Sequence, residues 1–225
     1  MARNFLVASA QGLTDATTPP VTTLPFSLAA WFKTAGGSGY RSIITLSEGS
    51  TEFNFALLDV ATGGQVSAYH QGNSGVVGNA LTAGTVTDAV WTHGGAVFTS
   101  ESSRTAYING VGTTETTTVA AFSALNYIAF GLIQYNGAPT NYFNGDIAEG
   151  ACWNVALTAA EMESMADGVS PLLIRPQSLM AYWPLYGNDS PELDRYKGTT
   201  GLTLVNTPAK AAHPRIIRPF VSFTQ

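Results

Sequence analysis

The feature that most constrains this chain is the recurrence of short segments in which apolar and polar residues alternate, separated by glycine and asparagine turn signals. In segment 25–33, Phe26, Leu28 and Phe32 share one face of an extended chain. Asn109-Gly110 favours a type I′ hairpin turn, because both residues tolerate a positive φ. The predicted strands cover residues 4–9, 25–33, 41–46, 53–59, 65–70, 90–98, 104–109, 127–133, 142–154, 179–185 and 202–205. This pattern predicts an all-β fold with two antiparallel sheets packed as a sandwich.

One segment interrupts the strand pattern with the signals of a helix. Thr158 and Glu161 have the spacing of a capping box, in which each satisfies a backbone N–H of the other. Leu157 and Met162 occupy the positions of a hydrophobic staple, and Gly168 is a plausible stop. The sequence therefore predicts a short helix over residues 159–167, at the edge of the sandwich.

Composition excludes several classes of protein. Charged residues make up 11% of the 225 residues, against about 25% in typical globular proteins. Cys152 is the single cysteine, so stability must come from packing and not from an intrachain disulfide. No apolar stretch approaches the roughly 18 residues of a membrane span. The apolar run near the start is too short for a signal peptide, so we expect synthesis in the cytosol without the standard secretory route, and no membrane insertion.

The charge is distributed unevenly along the chain. Residues 1–174 hold four basic and twelve acidic residues, whereas residues 175–225 hold six basic and three acidic ones. This asymmetry predicts that the C-terminal segment, an extended arm over 207–225, docks either onto an acidic partner or onto its own domain. Its basic charges are too sparse for a nucleic-acid partner. The candidate anchoring residues are Arg215, Ile216, Ile217, Arg218, Phe220 and Phe223.

Catalytic chemistry has little support in the sequence. Asp146 and Glu149 are three apart on a predicted strand, so we expect them on opposite faces, where they cannot serve one sugar as a retaining glycosidase pair. His70, His93 and His213 are scattered, without a local cluster of further ligands. We therefore predict neither an enzyme nor a metal site, and no cofactor.

Sugar binding is harder to dismiss, because lectin-like sites place exposed aromatic residues beside amides at loop tips. One predicted loop brings together Tyr135, Asn136, Asn141 and Tyr142, and a second carries Tyr69 and Asn73. The alternative is that both are ordinary loops with partly buried tyrosines. The four tryptophans belong to strand segments and are predicted to lie in the core: Trp31, Trp91, Trp153 and Trp183.

Four segments, 25–33, 88–98, 104–110 and 142–161, together resemble the laminin-G-like family of concanavalin A-like jelly rolls. Their motifs are PFSLAAWFK, DAVWTHGGAVF, RTAYING, and YFNGDIAE followed by WNVALTAAE. The resemblance implies a jelly-roll sandwich over residues 1–168, with 169–206 adding a connector and closing strands to the same domain. Family members often open with aspartates that help hold calcium. Here the segment NFLVAS offers no carboxylate, which puts a calcium site in doubt.

The whole chain also resembles small structural proteins of tailed bacteriophages, through the segments GVSPLLIRP, AYWPL, NDSPE and HPRIIRP. This resemblance implies a protein on the virion surface, most simply a capsid decoration protein with weak glycan adhesion. The major capsid protein would then be its partner, and a homo-oligomer, by analogy a trimer, is expected. The alternative is a carbohydrate-binding, lectin-like module of a phage tail or fibre, or of a bacterial cell, with a surface polysaccharide as partner.

Overall fold

The computed structural model describes residues 1–17, 19–50 and 54–217, and β-strands are the main secondary structure of this part of the chain. In chain order the strands are β1 (Ala2–Phe5), β2 (Gly12–Asp15), β3 (Phe26–Thr34), β4 (Arg41–Ser47), β5 (Phe55–Val60), β6 (Gln65–Gln71), β7 (Val77–Thr85), β8 (Thr92–Ser100), β9 (Ser103–Ile108), β10 (Val111–Glu115), β11 (Tyr127–Phe130), β12 (Ile133–Tyr135), β13 (Ala138–Thr140), β14 (Gly145–Trp153), β15 (Leu179–Trp183), β16 (Glu192–Leu193), β17 (Gly201–Val205) and β18 (Ala209–Ala211). A helix, α1 (Ala159–Ala166), follows β14, and short 3-10 helices cover Val7–Ser9, Pro171–Leu173 and Pro176–Ser178.

The strands form two antiparallel sheets and a separate hairpin. The first sheet has the order β10-β9-β8-β3-β14-β1-β18, and β15 also pairs with β14. The second sheet has the order β16-β17-β2-β11-β4-β5-β6-β7, and β12 pairs with β13 as a two-stranded hairpin. The predicted two-sheet jelly-roll sandwich is confirmed. None of the helices described is long and apolar enough to cross a membrane.

The main core fills the space between the inner faces of the two sheets. Period-two alternation directs Phe26 of β3 and Phe130 of β11 inward from opposite sheets, and both are fully buried. The Phe26 ring lies 4.9 Å from that of Phe98, and the Phe130 ring lies 5.4 Å from that of Trp183, both measured between centroids. The first contact lies within the first sheet, whereas the second joins Phe130 of the second sheet to Trp183 of the first.

A second apolar cluster covers the outer face of the first sheet. Trp153 at the end of β14 is fully buried there, and its indole N–H donates to the carbonyl of Ile174 at 2.8 Å. Met162 of α1 packs over Gly95 of β8, where a Cβ would meet the Met162 sulfur at 2.6 Å. The glycine thus makes room for the helix on the sheet surface.

The helix begins as the sequence predicts. The backbone N–H of Glu161 donates to the Thr158 hydroxyl at 3.3 Å, and the Glu161 carboxylate accepts from the Thr158 N–H at 2.7 Å. Leu157 and Met162, the predicted staple residues, are both buried in the same cluster. The capping box and the short helix are therefore confirmed, and the helix packs on the outer face of the first sheet over β8.

The C-terminal part of the chain closes the sandwich. Strands β15 and β18 belong to the first sheet, and β17 belongs to the second. The backbone N–H of Ser170 donates to the carbonyl of Ile217 at 3.0 Å. Arg3 of β1 holds this part in place: its Nε donates to the Glu192 carboxylate at 2.6 Å, and Nη1 donates to the carbonyl of Pro208 at 2.7 Å. The described residues of the predicted arm thus pack against their own domain.

Some sequence predictions differ from the structure in local detail. The strand expected over 127–133 ends at Phe130, because Gly131 adopts φ +76° and redirects the chain. The first strand ends at Phe5 and gives way to a 3-10 turn. Trp31 and Trp91 lie half-exposed and not in the core as predicted, because they occur on outward-facing positions of the first sheet. Trp153 and Trp183 are buried as expected.

The ion pair between Arg3 and Glu192 predicts a large loss of stability when one partner is removed. Both side chains are buried, so Glu192→Gln leaves the Arg3 guanidinium without its anion and is expected to cost about 3 kcal/mol of unfolding free energy. The control is Asp189→Asn, which breaks the exposed pair with Arg195 and is expected to cost less than about 1 kcal/mol. Urea unfolding monitored by tryptophan fluorescence measures both. Equal losses in the two variants would contradict the assignment.

Candidate functional site

A hairpin folded over the outer face of the second sheet creates the most distinctive surface of the described chain. The turn at Gly131 sends β12 away from β11, and Asn136 (φ +48°) with Gly137 (φ +76°) joins β12 to β13 as a tight turn. The hydroxyl of Thr45 on β4 donates to the carbonyl of Leu132 at 3.1 Å. The hairpin is thereby fixed against the sheet and forms one wall of a groove.

The floor of the groove comes from alternation along two paired strands. Phe55 and Leu57 of β5 lie opposite Gln71 and Tyr69 of β6, respectively, and all four side chains belong to the outer face. Ala56, Leu58 and Ala68, which alternate with them along the two strands, belong to the main core between the sheets. Both faces of these strands therefore carry apolar residues, although only one face packs in the sandwich interior.

Four aromatic rings form a continuous row along this floor. The Phe55 and Tyr69 rings stack with centroids 5.6 Å apart and an interplanar angle of 13°. Tyr135 meets Phe55 edge-on at 6.1 Å, and Tyr40 meets Tyr69 edge-on at 6.5 Å. Phe55 is buried, whereas Tyr40 and Tyr135 at the two ends are 41% and 37% exposed. The row thus begins and ends on rings that solvent or a ligand can reach.

The groove has a volume of about 460 Å³, a size typical of small-ligand sites. Its lining residues are Tyr40, Phe55, Leu57, Tyr69, Gln71, Ile133, Tyr135, Ala138, Thr140 and Asn141. Two side-chain amides, Gln71 and Asn141, and the hydroxyl of Thr140 supply polar groups beside the rings. None of these lining residues carries a formal charge.

The predicted glycan residues are only partly brought together. Tyr69, Tyr135 and Asn141, from two separate predicted loops, line the same groove. Asn136 lies at the exposed tip of the hairpin turn and does not line the groove. Tyr142 is half-buried beside the groove but does not line it.

Asn73, the sixth predicted glycan residue, forms its hydrogen bonds within a loop outside the groove lining. The amide Nδ2 of Asn73 donates to the hydroxyl of Ser123 at 2.6 Å, and its Oδ1 accepts from Asn54. This network fixes a loop and does not belong to the groove lining.

Sequence reasoning missed Tyr40, Phe55 and Gln71. Tyr40 follows a glycine-rich turn that was interpreted only as punctuation between strands. Phe55 lies in the predicted strand over residues 53–59. The available signal was that β5 has apolar residues on both faces, which in an antiparallel sheet indicates that something covers or binds the outer face.

A buried carboxyl group lies next to the groove. Asp59 follows Leu57 on the same face of β5 and is fully buried. Neither of its oxygens has a well-formed hydrogen bond among the described residues, and the Ser67 hydroxyl opposite donates to Asn79 at 2.6 Å. Burial raises the pKa of Asp59 to about 7, although Ser67 and Arg41 favour its charged form.

Tyr69 remains a neutral hydroxyl donor at physiological pH. Burial, together with Tyr40, Asp59 and Tyr135, raises the pKa of Tyr69 to about 12. Its hydroxyl lies 3.3 Å from the Gln71 amide oxygen, to which it donates. The groove therefore combines apolar ring faces with neutral hydrogen-bonding groups.

The carboxylates of the Asp146 segment lie apart from the groove. A β-bulge between Ala148 and Ala151 interrupts the alternation of β14, so the assumption of regular spacing behind the opposite-face prediction was wrong. Asp146 pairs with Lys33 at 2.8 Å. Glu149 is fully buried, accepts from the hydroxyl of Tyr182 at 2.6 Å and lies 3.0 Å from Nε2 of His213. Each carboxylate thus has its own structural partners.

The histidines do not form a ligand cluster in the described residues. His70 stacks on Phe122 with centroids 3.9 Å apart, and burial lowers its pKa to about 4. His93 is buried in β8 as predicted, and burial lowers its pKa to about 3. Across the described chain, no three His, Cys, Asp or Glu side chains are placed to hold a metal ion.

The candidate anchoring residues fall on the surface near the end of α1. Arg215, Ile216 and Ile217 border a shallow depression beside Asp167, and the Ile217 side chain is 61% exposed. Ile217 also forms a parallel bridge with Val169. The other three candidates, Arg218, Phe220 and Phe223, lie outside the described residues.

The raised pKa of Asp59 predicts how stability depends on pH. Because the folded pKa lies above the unfolded value of about 4, the folded state binds more protons between pH 4 and 7, and its stability falls as the pH rises through this range. Asp59→Asn removes this loss, so the variant is expected to exceed the wild type by about 1–3 kcal/mol at pH 8 and to match it near pH 4.

Urea unfolding at several pH values between 4 and 8 measures this difference. The control is Asp167→Asn, an exposed aspartate that should keep the pH dependence of the wild type. Identical pH profiles for the wild type and Asp59→Asn would rule out the assignment.

Several solved structures share the fold of this chain. The carbohydrate-binding module CBM40 of a Ruminococcus gnavus sialidase, solved with α2,3-sialyllactose, superposes with a TM-score of 0.61 at 12% identity, over 73% of this chain and 96% of that one. A candidate carbohydrate-binding protein of Bacteroides ovatus gives 0.67 at 17% identity, over 92% and 60%. A pentraxin of Limulus polyphemus gives 0.58 at 16%, over 73% and 81%. At these identities the likeness establishes the fold alone.

Sequence comparison identifies the family. No curated protein matches the chain significantly. The family model of the laminin-G-like type, described as the concanavalin A-like lectin/glucanases superfamily, matches residues 9–163, more than half of the chain. The match includes the strands that form the floor and the hairpin that forms the wall of the groove. The chain therefore belongs to the concanavalin A-like lectin/glucanase superfamily.

Proposed function

We propose that this protein binds carbohydrate, without catalysis, in the tyrosine-lined groove of its second sheet. The observation that carries the proposal is the row of four aromatic rings that ends on the exposed Tyr40 and Tyr135. Solved structures with a similar fold include a sialidase carbohydrate-binding module and a candidate carbohydrate-binding protein, which supports the same proposal.

The chemistry of the groove suits a sugar ring. A pyranose has an apolar face of C–H groups, which packs on aromatic rings, and a rim of hydroxyl groups, which need hydrogen-bond partners. Tyr135 and Tyr40 offer ring surface, and the Gln71 and Asn141 amides can both donate to and accept from hydroxyls. A small number of polar groups placed among apolar walls fixes the orientation of a bound ligand.

A binding function fits the groove better than hydrolysis does. Retaining glycosidases need two carboxyl groups about 5–5.5 Å apart at the scissile bond. The described groove lining contains no carboxylate, and Asp59 beside it is fully buried. Asp146 and Glu149 are engaged with other partners on the first sheet.

The proposal predicts that the end tyrosines carry much of the affinity. Tyr135→Ala is expected to weaken glycan binding at least tenfold, because truncating an aromatic hot spot costs about 2 kcal/mol or more. Binding to a glycan array, followed by calorimetry with the best array ligand, measures the effect. Tyr196→Ala is the matched control, since Tyr196 is 38% exposed but lies against Pro176, away from the groove. Equal binding by both variants would contradict the proposal.

A second candidate function rests on the C-terminal segment. We propose that this segment attaches the protein to a phage particle as a surface decoration, with the major capsid protein as partner. The exposed Ile217 side chain, beside Arg215 and the depression at Asp167, supports this proposal because apolar groups at such sites favour protein contacts. The sandwich and its groove would then face outward from the virion surface.

The decoration proposal predicts that two functions separate by truncation. Because β18 and Ile217 belong to the folded domain, the deletion used for the test removes only residues 218–225. A second variant, Ile217→Asp, places a charge on the exposed apolar side chain. Wild-type protein is expected to saturate undecorated capsids, and both variants should lower occupancy at least tenfold while glycan binding stays intact. Sedimentation with capsids measures occupancy. Wild-type protein that ignores capsids would refute the proposal.

A further inference from the structure

We infer that the groove selects neutral sugars over anionic ones, an inference that rests on the proposed carbohydrate binding. An anionic sugar, such as a hexuronate or a sialic acid, must exchange the hydration of its carboxylate for a partner in the protein. Without a cation at the site this exchange is unfavourable, because a buried charge needs an opposite charge to offset the loss of its hydration. The described groove lining offers aromatic rings, two side-chain amides and the hydroxyls of Thr140 and three tyrosines, but no cation.

The cation next to the groove in sequence is buried and does not line the groove. Arg41 follows Tyr40 at the start of β4, is 6% exposed and is not one of the lining residues. Burial lowers the pKa of Arg41, and the carboxylates of Asp88 and Asp59 both act in the opposite direction by stabilising its charge. A ligand carboxylate would have to compete with these two carboxylates for one buried guanidinium.

The buried carboxyl group adds an unfavourable field for an anion. Asp59 lies beside Leu57 and influences Tyr69 of the groove floor strongly enough to contribute to its raised pKa. When Asp59 is ionised, an anionic ligand would meet a like charge across a region of low dielectric constant, where such repulsion is strong.

A protein of similar fold was solved with an anionic sugar, sialyllactose, whereas the inference predicts that this groove prefers neutral sugars. The two proteins share a fold at 12% identity, so the ligand must be argued from the groove itself. A neutral hexose presents only C–H faces and hydroxyls, which the rings and the amides Gln71 and Asn141 match. The geometry points to neutral hexose chains as the ligand class.

Matched pairs of oligosaccharides test the inference. The probes are a neutral disaccharide, cellobiose or lactose, and the corresponding hexuronate, in which one CH2OH is a carboxylate, together with α2,3-sialyllactose. They are printed on one array beside longer neutral chains. The intact protein at pH 8 is expected to bind neutral members at least tenfold more tightly than their anionic counterparts.

A charge substitution in the groove provides the decisive variant. Thr140→Lys places a cation among the lining residues and is expected to narrow the preference for the neutral member by at least threefold. Asp59→Asn should narrow it in the same direction at pH 8. Thr113→Lys, a half-exposed threonine on β10 of the other sheet, is the matched control and should leave the preference unchanged.

The outcomes separate the inference from the proposed function. Tyr135-dependent binding of the anionic members, equal to or tighter than that of their neutral partners, would overturn the selectivity and leave carbohydrate binding intact. Binding to no member of the array would refute the carbohydrate function and the selectivity with it. Neutral selectivity that persists unchanged in Thr140→Lys would show that charge is not its cause, and would also overturn the inference.

Discussion

Burial of β14 on both faces is the constraint on which the rest of the structure depends. Cys152 faces the main core between the sheets, whereas Ala151 and Trp153 face the cluster beneath α1. The outer cluster needs the helix and the following segment as a cover, and Trp153 is fixed by its hydrogen bond to Ile174. With the outer face of the first sheet covered in this way, the groove forms on the outer face of the second sheet.

The groove is a consequence of how the second sheet is completed. At Gly131 a Cβ would meet the ring of Phe5 at 2.7 Å, and the residue also has φ +76°, so both space and backbone conformation favour glycine there. The chain turns outward at this point, and the β12–β13 hairpin lies over Phe55 and Leu57 without covering Tyr69 completely. A single tight turn in the interior thus determines the wall of a surface site.

The sequence predicts those features that depend on neighbouring residues. The capping box of Thr158 and Glu161 involves residues three apart, and the strand alternation involves residues two apart, so both could be predicted. The bulge at Glu149 could not, because it depends on two neighbouring strands that pair with β14 in different registers. The groove also has Tyr40 at one end and Tyr135 at the other, and these residues are 95 positions apart in the chain. Composition and spacing alone contain no signal that both tyrosines line one groove.

Several buried polar atoms beside the groove break the usual rule for buried atoms, as do others elsewhere in the fold, such as Nε of Arg104 and Nδ1 of His93. Buried polar atoms are nearly always hydrogen-bonded, yet Nε of Arg41, the hydroxyl of Ser42 and both oxygens of Asp59 have no hydrogen-bond partner among the described residues. All three residues lie on adjacent strands at one end of the aromatic row. Departures from consistent folding rules are expected where function constrains the sequence. On the proposed function Asp59 is such a residue, because its ionisation weakens the fold as the pH rises from about 4 to about 7 and would oppose an anion in the groove.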